Sequence, residues 1–421
     1  MVRLLVAALV LTWAGGLGNV SLASGLSYKA GLGYDYFSQQ YFLDSLRTAG
    51  VDSQLVRWSY NSIYLNDLKG FVEARYSPRK SRFELGGSHE QTNNQFRTRL
   101  YSIYRPKFSR FRLDSRGELE WRQRYRGAHN PGDSYVDGRG QGKLRYSLSK
   151  VTTLWGEIRG EFVRFATQTS FAHNYLRLGQ KIGAELNLGL STLDLAFFAQ
   201  QRSVGDSAQM NYACTGFDGS FFGLYNWGDL DFLTHFENRR YNRTDSVNDY
   251  SRLEINGRSK VLLGKGFFLR PELLVEQNKY RKSDVVNQDY WRLQTALMTG
   301  CGILGPASIL AGPAVDILSQ ERDSMAIDQA YTESGARIEF DYTEPSKVFG
   351  VFQGNFGYRT MRTEDRSQSS FRYFRLSIMG DVTISRRFDL NTLLGAEWEW
   401  HRSNSNNTRL VLFSSSLTYS F

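Results

Sequence analysis

Residues 110–126 constrain the fold more than any other stretch. Phe111, Leu113, Ser115, Gly117, Leu119, Trp121 and Tyr125 alternate with Arg110, Arg112, Asp114, Arg116, Glu118, Glu120, Arg122, Arg124 and Arg126. A period of two places successive side chains on opposite faces of a strand. One face is then apolar and aromatic, and the other is ionic throughout. A soluble sheet is not expected to carry so long a strand with a fully charged face. A membrane-crossing strand is, because it needs about 9–11 residues inside the lipid and can extend beyond it.

The same alternation returns along the chain. Leu154, Gly156, Ile158, Gly160 and Phe162 alternate with Glu157, Arg159 and Glu161. Leu253, Ile255 and Gly257 alternate with Arg252, Glu254, Asn256 and Arg258. Phe388, Leu390, Leu394, Ala396, Trp398 and Trp400 form another apolar face. An Arg or Lys at the bilayer midplane costs about 2–4 kcal/mol, so the ionic faces must line a lumen. Trp121, Tyr125, Trp398 and Trp400 sit near strand ends, where an interfacial aromatic girdle is expected. Composition agrees: 14% aromatic residues, 39 Gly, only 7 Pro and a mean hydropathy of −0.44 fit strands of which half the side chains meet lipid. No apolar run reaches the length of a spanning helix, so membrane residence must come from strands.

Punctuation sets the topology. Tight turns fall near Ser149-Lys150, Asn187-Leu188-Gly189, Asn226-Trp227-Gly228, Gly264-Lys265-Gly266, Gly305-Pro306, Glu344-Pro345-Ser346 and Ser385-Arg386. Longer polar loops alternate with them. The expected fold is all-β: a transmembrane antiparallel up-and-down barrel of roughly 20 strands, within a range of about 18–22, with short periplasmic turns and moderate outer loops. No fixed-period motif is apparent.

The last strand has Phe421, Tyr419, Leu417, Ser415, Phe413 and Val411 on one face and stops on the aromatic. This ending resembles the terminal signature of bacterial outer-membrane β-barrels, a porin-like class, over nearly the whole chain. The resemblance implies that barrel assembly machinery reads Leu417, Tyr419 and Phe421 as an assembly signal, and that outer-membrane lipid surrounds the protein.

Residues 1–23 read as a signal peptide: Arg3 is the basic start, Leu4 to Trp13 a short apolar stretch, and Ser21-Leu22-Ala23 the cleavage site. Residues 24–421 then form one barrel. Its first strand begins at Leu26, and residues 39–66 read as a long loop or an inward constriction leading into a second strand.

The formal charge of +10 is spread through strands and not gathered in runs, which argues against a nucleic-acid partner. On the lumen face it concentrates as a basic arc: Arg97, Arg99, Arg112, Arg116, Arg122, Arg124, Lys143 and Arg145, opposed locally by Asp114, Glu118 and Glu120. Acidic positions gather elsewhere, at Asp229, Asp231 and Glu237, at Glu333, Glu339 and Asp341, and at Glu397 and Glu399. Walls of Arg and Lys favour anions, whereas paired charges simply hold a barrel round.

Cys214 and Cys301 fall on strands too far apart for a disulfide and read as free thiols. No metal-ligand spacing, cofactor motif or nucleophile elbow appears. His129 with Asp133 and Asp137 is the one acid–histidine group that a rim hydrolase could use. The expected function is a non-enzymatic outer-membrane channel for passive diffusion of small hydrophilic solutes, with a lean to anions. The alternatives are the barrel of a polysaccharide or lipid export assembly, working with a periplasmic partner, and the rim hydrolase; a homo-oligomer would favour the channel.

Overall fold

The computed structural model describes residues 26–43, 58–77, 83–91, 95–124, 134–166, 173–205, 207–242, 248–282, 287–303, 306–321, 330–345, 347–363, 369–401 and 407–420. Twenty-one strand segments succeed one another: β1 Leu26–Leu43, β2 Trp58–Tyr76, β3 Phe83–Gln91, β4 Gln95–Tyr104, β5 Lys107–Phe108, β6 Phe111–Arg124, β7 Tyr135–Ser147, β8 Thr152–Phe165, β9 Tyr175–Leu188, β10 Ser191–Val204, β11 Tyr212–Tyr225, β12 Gly228–Tyr241, β13 Tyr250–Gly264, β14 Phe267–Tyr280, β15 Tyr290–Gly302, β16 Ala307–Gln320, β17 Tyr331–Glu344, β18 Val348–Met361, β19 Phe371–Ser385, β20 Phe388–His401 and β21 Thr408–Ser420. Arg105-Pro106 interrupts one strand into β4 and β5, because proline has no N–H to give the ladder; both pieces pair with β6. Every neighbour is antiparallel, and β1 pairs with β21 from Lys29↔Ser420 to Tyr41↔Thr408. The sheet thus closes into a barrel of 20 strands. Closure leaves no unpaired edge, which a wall facing lipid requires.

The turns at Ser149-Lys150, Asn226-Trp227-Gly228, Gly264-Lys265-Gly266 and Ser385-Arg386 fall where the punctuation put them, and most residues of the longer loops lie outside the described residues. The expected loop at 39–66 is narrower: β1 runs to Leu43, and β2 starts at Trp58 with Leu43↔Trp58 in register. The Tyr- and Ser-rich stretch after Trp58 pairs rather than loops, because β1 offers a free ladder beside it. Residues 44–57 lie outside the described residues, as do residues 1–25, with the expected signal peptide at 1–23, and Phe421.

The two faces behave as their chemistry requires. On β9, Leu176, Leu178 and Ile182 are exposed on the outside, while Tyr175, Arg177 and Lys181 are half-buried inside. Ile158 and Ile182 are the extreme cases, each 70% exposed at mid-strand. Such exposure is unfavourable in water and natural in lipid. Trp121 and Trp400 are exposed on the same outer surface near the loop ends of their strands, as a girdle requires. Replacing Ile158 with Lys is expected to destabilise the barrel by about 2–4 kcal/mol in vesicles, by denaturant titration. Gln141→Lys, two positions from Lys143 on the lumen face of β7, should leave the midpoint almost unchanged.

Candidate functional site

The lumen is built from the inward side chains, and its outer mouth carries a repeat. Tyr135, Tyr175, Tyr212, Tyr250, Tyr290 and Tyr331 each open a descending strand and point inward. Five donate their hydroxyl to a carboxylate of the preceding ascending strand: Tyr135 to Glu120 (2.8 Å), Tyr175 to Glu161 (3.0 Å), Tyr250 to Glu237 (2.9 Å), Tyr290 to Glu276 (2.7 Å) and Tyr331 to Asp316 (3.1 Å). Tyr212 instead accepts from Gln200 Nε2 at 2.8 Å. Guanidinium groups lie over these rings, Arg202 over Tyr175 at 4.4 Å, Arg239 over Tyr212 at 4.3 Å and Arg359 over Tyr331 at 4.1 Å. Planar Arg stacks on an aromatic face while its edges still reach a carboxylate.

A second element of the repeat precedes four of these tyrosines, Tyr175, Tyr212, Tyr250 and Tyr290. Asn174 Oδ1 accepts the backbone N–H of Phe165 (2.8 Å), Asn211 that of Val204 (2.6 Å), Asp249 that of Tyr241 (2.7 Å) and Asp289 that of Tyr280 (2.6 Å). The backbone carbonyls of the same residues accept from Gly205, Asn242, Arg281 and Glu321. Each clamp therefore ties the outer ends of the two ascending strands on either side of it. Asp289→Ala removes one such bond and is expected to cost about 1 kcal/mol. The loss would appear as a lower unfolding midpoint and faster tryptic cleavage at the neighbouring Arg281 and Lys282.

This repeat was legible and was missed. Asn174-Tyr175-x-Arg177, Asp249-Tyr250-x-Arg252 and Asp289-Tyr290-x-Arg292 share one pattern at the same point of three hairpins, and Asn211-Tyr212 carries its first two residues at a fourth. Hydrophobic periodicity hides it, because each copy straddles a loop and a strand.

Of the eight arc residues, the structure pairs four with acids. Arg97 meets Glu120 at 2.6 Å, and Arg99 meets Glu118 and Glu120 at 3.0 and 3.1 Å. Arg112 meets Asp114 at 3.2 Å and Arg116 meets Glu118 at 3.1 Å. Arg122 donates to Gln95 at 2.8 Å. Lys143 lies 3.5 Å over the Trp155 ring, and Trp155 Nε1 donates to Asp194 at 3.0 Å. Lys143 and Arg145 have no carboxylate within ion-pair distance among the described residues; the Arg124 side chain lies outside them. The arc has more local acids than the three named from sequence: Asp137 takes Arg139 at 2.5 Å, Glu157 takes Arg159, and Glu161 takes Arg177. Of the acidic positions elsewhere, five are likewise matched: Asp231 by Arg258, Glu237 by Arg239, Glu333 by Arg359, Glu339 by Arg270 and Glu397 by Arg375.

One part of the wall is bent sharply. Arg270 Nη1 and Nη2 on β14 bind both oxygens of Glu339 on β17, each at 2.7 Å, and Arg337 on β17 returns to Glu272 on β14. Two strands lie between, and at about 4.8 Å per strand a flat sheet would hold β14 and β17 roughly 14 Å apart. The side chains meet because the wall folds over an apolar seam. Its inward residues are Ala296 and Met298 of β15 and Leu310 and Ala314 of β16, with Met298 0% and Leu310 1% exposed. Gly312 belongs to this corner: a Cβ there would strike the Leu297 carbonyl.

Two cavities occupy the lumen beside this corner. The larger, of 810 Å³, is lined by Arg258, Arg292, Arg337, Arg359 and Arg375 and by Asp231, Glu272, Asp316, Glu333 and Glu397. The smaller, of 410 Å³, takes Lys143, Trp155, Lys181, Asp194, Asp218 and His235. Leu233 and Asn256 line both, so the two spaces adjoin. His235 Nδ1 lies 2.6 Å from Asp218 and its ring stacks on Phe198 at 5.5 Å. It is a held wall residue. Both cysteines are free, Cys214 buried on the lumen side of β11 and Cys301 on β15. No cluster of metal-ligating side chains occurs among the described residues. His129 and Asp133 lie outside the described residues, and Asp137 is engaged by Arg139.

No family model matches the chain, and no curated protein matches it in sequence. Solved structures do. "Copper transporter OprC" superimposes with a TM-score of 0.55 at 9% identity, over 95% of this chain and 81% of that one. The alcaligin outer-membrane receptor FauA of Bordetella pertussis superimposes with a TM-score of 0.52 at 10% identity, over 94% of this chain and 76% of that one. At these identities the likeness is one of fold. By its closed antiparallel wall and its lipid-facing belt, the chain has the fold of a bacterial outer-membrane β-barrel.

Proposed function

We propose that the protein is an outer-membrane channel through which small hydrophilic solutes diffuse passively. The observation that carries this reading is the pair of adjoining polar cavities, of 810 and 410 Å³, inside a closed wall. A 20-strand barrel has the girth for it, since barrels of about 16–18 strands already enclose an aqueous channel. A lean to anions rests in this reading on Lys143 and Arg145, which with Arg122 have no carboxylate partner among the described residues of the arc. Charges already bonded to a neighbour attract a passing ion far less. The reading includes the assembly signal on the last strand. There Leu417 faces lipid, and Tyr419 packs on Phe388 at 4.8 Å between centroids.

The test is single-channel conductance of the refolded mature chain in a planar bilayer under a KCl gradient. A steady open conductance with a weakly anion-selective reversal potential is expected. Exchanging Lys143 and Arg145 for Gln together should move that potential toward zero, while Arg97→Gln and Arg116→Gln should move it much less. A folded barrel that passes no current overturns the open channel.

A further inference from the structure

The wall of the larger cavity has a property that neither an anion channel nor a cation channel needs. Its five arginines and five carboxylates balance. They also alternate as bonded pairs around the space: Arg292 with Asp316 at 2.6 Å, Arg359 with Glu333 at 2.6 Å, Arg375 with Glu397 at 2.5 Å, and Arg258 with Asp231 at 3.6 Å. We propose that this wall is a recognition surface for zwitterionic solutes, of the class of amino acids and short peptides, which deepens and rests on the channel reading.

A lone anion beside such a wall gains at each guanidinium what it loses at the adjoining carboxylate. A zwitterion turns to meet both. Its ammonium end faces a carboxylate, its carboxylate end faces a guanidinium, and neither wall charge is left worse off. A neutral solute of the same size gains only ordinary hydrogen bonds. Two observations separate this wall from a merely structural ladder. The Arg258–Asp231 pair is loosely held at 3.6 Å, with the two side chains 59% and 36% exposed, so both groups remain open to a solute. Asn256 and Asn355 also line the cavity, and neither amide has a side-chain partner among the described residues. Their donors and acceptors are available to the polar ends of a dipolar solute.

The experiment is swelling of proteoliposomes holding the refolded chain, in isosmotic alanine, in its neutral isomer lactamide, and in a small neutral sugar. The two isomers share one formula and nearly one size, so their ratio reports charge arrangement alone. Alanine is expected to enter severalfold faster than lactamide. The Arg258→Gln/Asp231→Asn double variant keeps the wall neutral and should abolish that excess while sugar entry stays as before. Heat-modifiable migration on gels verifies that the variant is folded. Equal entry of alanine and lactamide overturns the zwitterion proposal and leaves the channel standing. Failure of all three solutes to enter overturns the channel, and the proposal with it. An excess that survives in the double variant shows that these pairs are structural and overturns their assignment.

Discussion

Glu333→Ala is expected to lower the stability of the barrel by about 3 kcal/mol, toward the lower end of the cost of breaking a buried ion pair. The Glu333 side chain is 10% exposed. It accepts from Arg359 Nε and Nη2 at 2.9 and 2.6 Å and from Arg375 Nη1 at 2.9 Å. Among the described residues, removing it leaves Arg359 with the faces of Tyr331 and Phe371, which stack but neutralise nothing. Arg375 retains Glu397 at 2.5 Å. Part of the loss is returned, because Asp316 stands directly opposite Glu333 in the β16–β17 register and like charges across a ladder repel. Denaturant unfolding in lipid vesicles, followed by tryptophan fluorescence, measures the change. Glu397→Ala should cost distinctly less, since that carboxylate is three times as exposed, 31% against 10%. Equal costs would mean that the Glu333 node is no more than an ordinary wet ion pair.

Gly228→Ala is expected to prevent the barrel from closing. Gly228 begins β12 with φ +144°, a conformation that L side chains rarely adopt. Any Cβ there would overlap the carbonyl of Lys260 on β13, whose chain neighbour Val261 pairs with Gly228. Strain of about 1–3 kcal/mol adds to a backbone clash that no side chain can relieve by rotating, and the sum exceeds about 4 kcal/mol. Loss of the heat-modifiable gel band after refolding is the readout. Gly189→Ala separates the two causes: Gly189 has φ +71° but open space around its Cβ position, so that variant should fold with a modest loss. Gly140→Ala, with no atom within 4 Å and no such φ, should behave as the parent. If Gly228→Ala folds as well as Gly140→Ala, the β12–β13 approach is not tight in the membrane.

The strands and their faces could be read directly because each obeys a local rule. Ile158 and Ile182 alternate with Glu157, Arg159 and Lys181, and lipid and water sort them without help from any other part of the chain. Turns such as Gly264-Lys265-Gly266 are equally local, with positive φ at all three residues. The Asn/Asp-Tyr-x-Arg repeat was also local, and was overlooked only because its copies cross strand boundaries. The basic arc shows where such reading stops. Glu118 and Glu120 can be named from the strand as opposing acids, but not that they bond Arg97, Arg99 and Arg116, nor that Asp137, Glu157 and Glu161 join them, and a cation bonded to a carboxylate is a different object from a free one.

What the sequence determined by itself was the class of fold: alternation names the two faces, turns and loops set the meander, and a charged face cannot lie in lipid. What only the tertiary structure decided was the state of each charge. The bond from Arg270 to Glu339 reaches over two intervening strands, and Arg375 joins Glu333 to Glu397 from one side chain. These partners depend on how sharply the closed wall bends and how far a side chain then reaches. Both are properties of the curved surface, and the order of residues along one strand does not contain them.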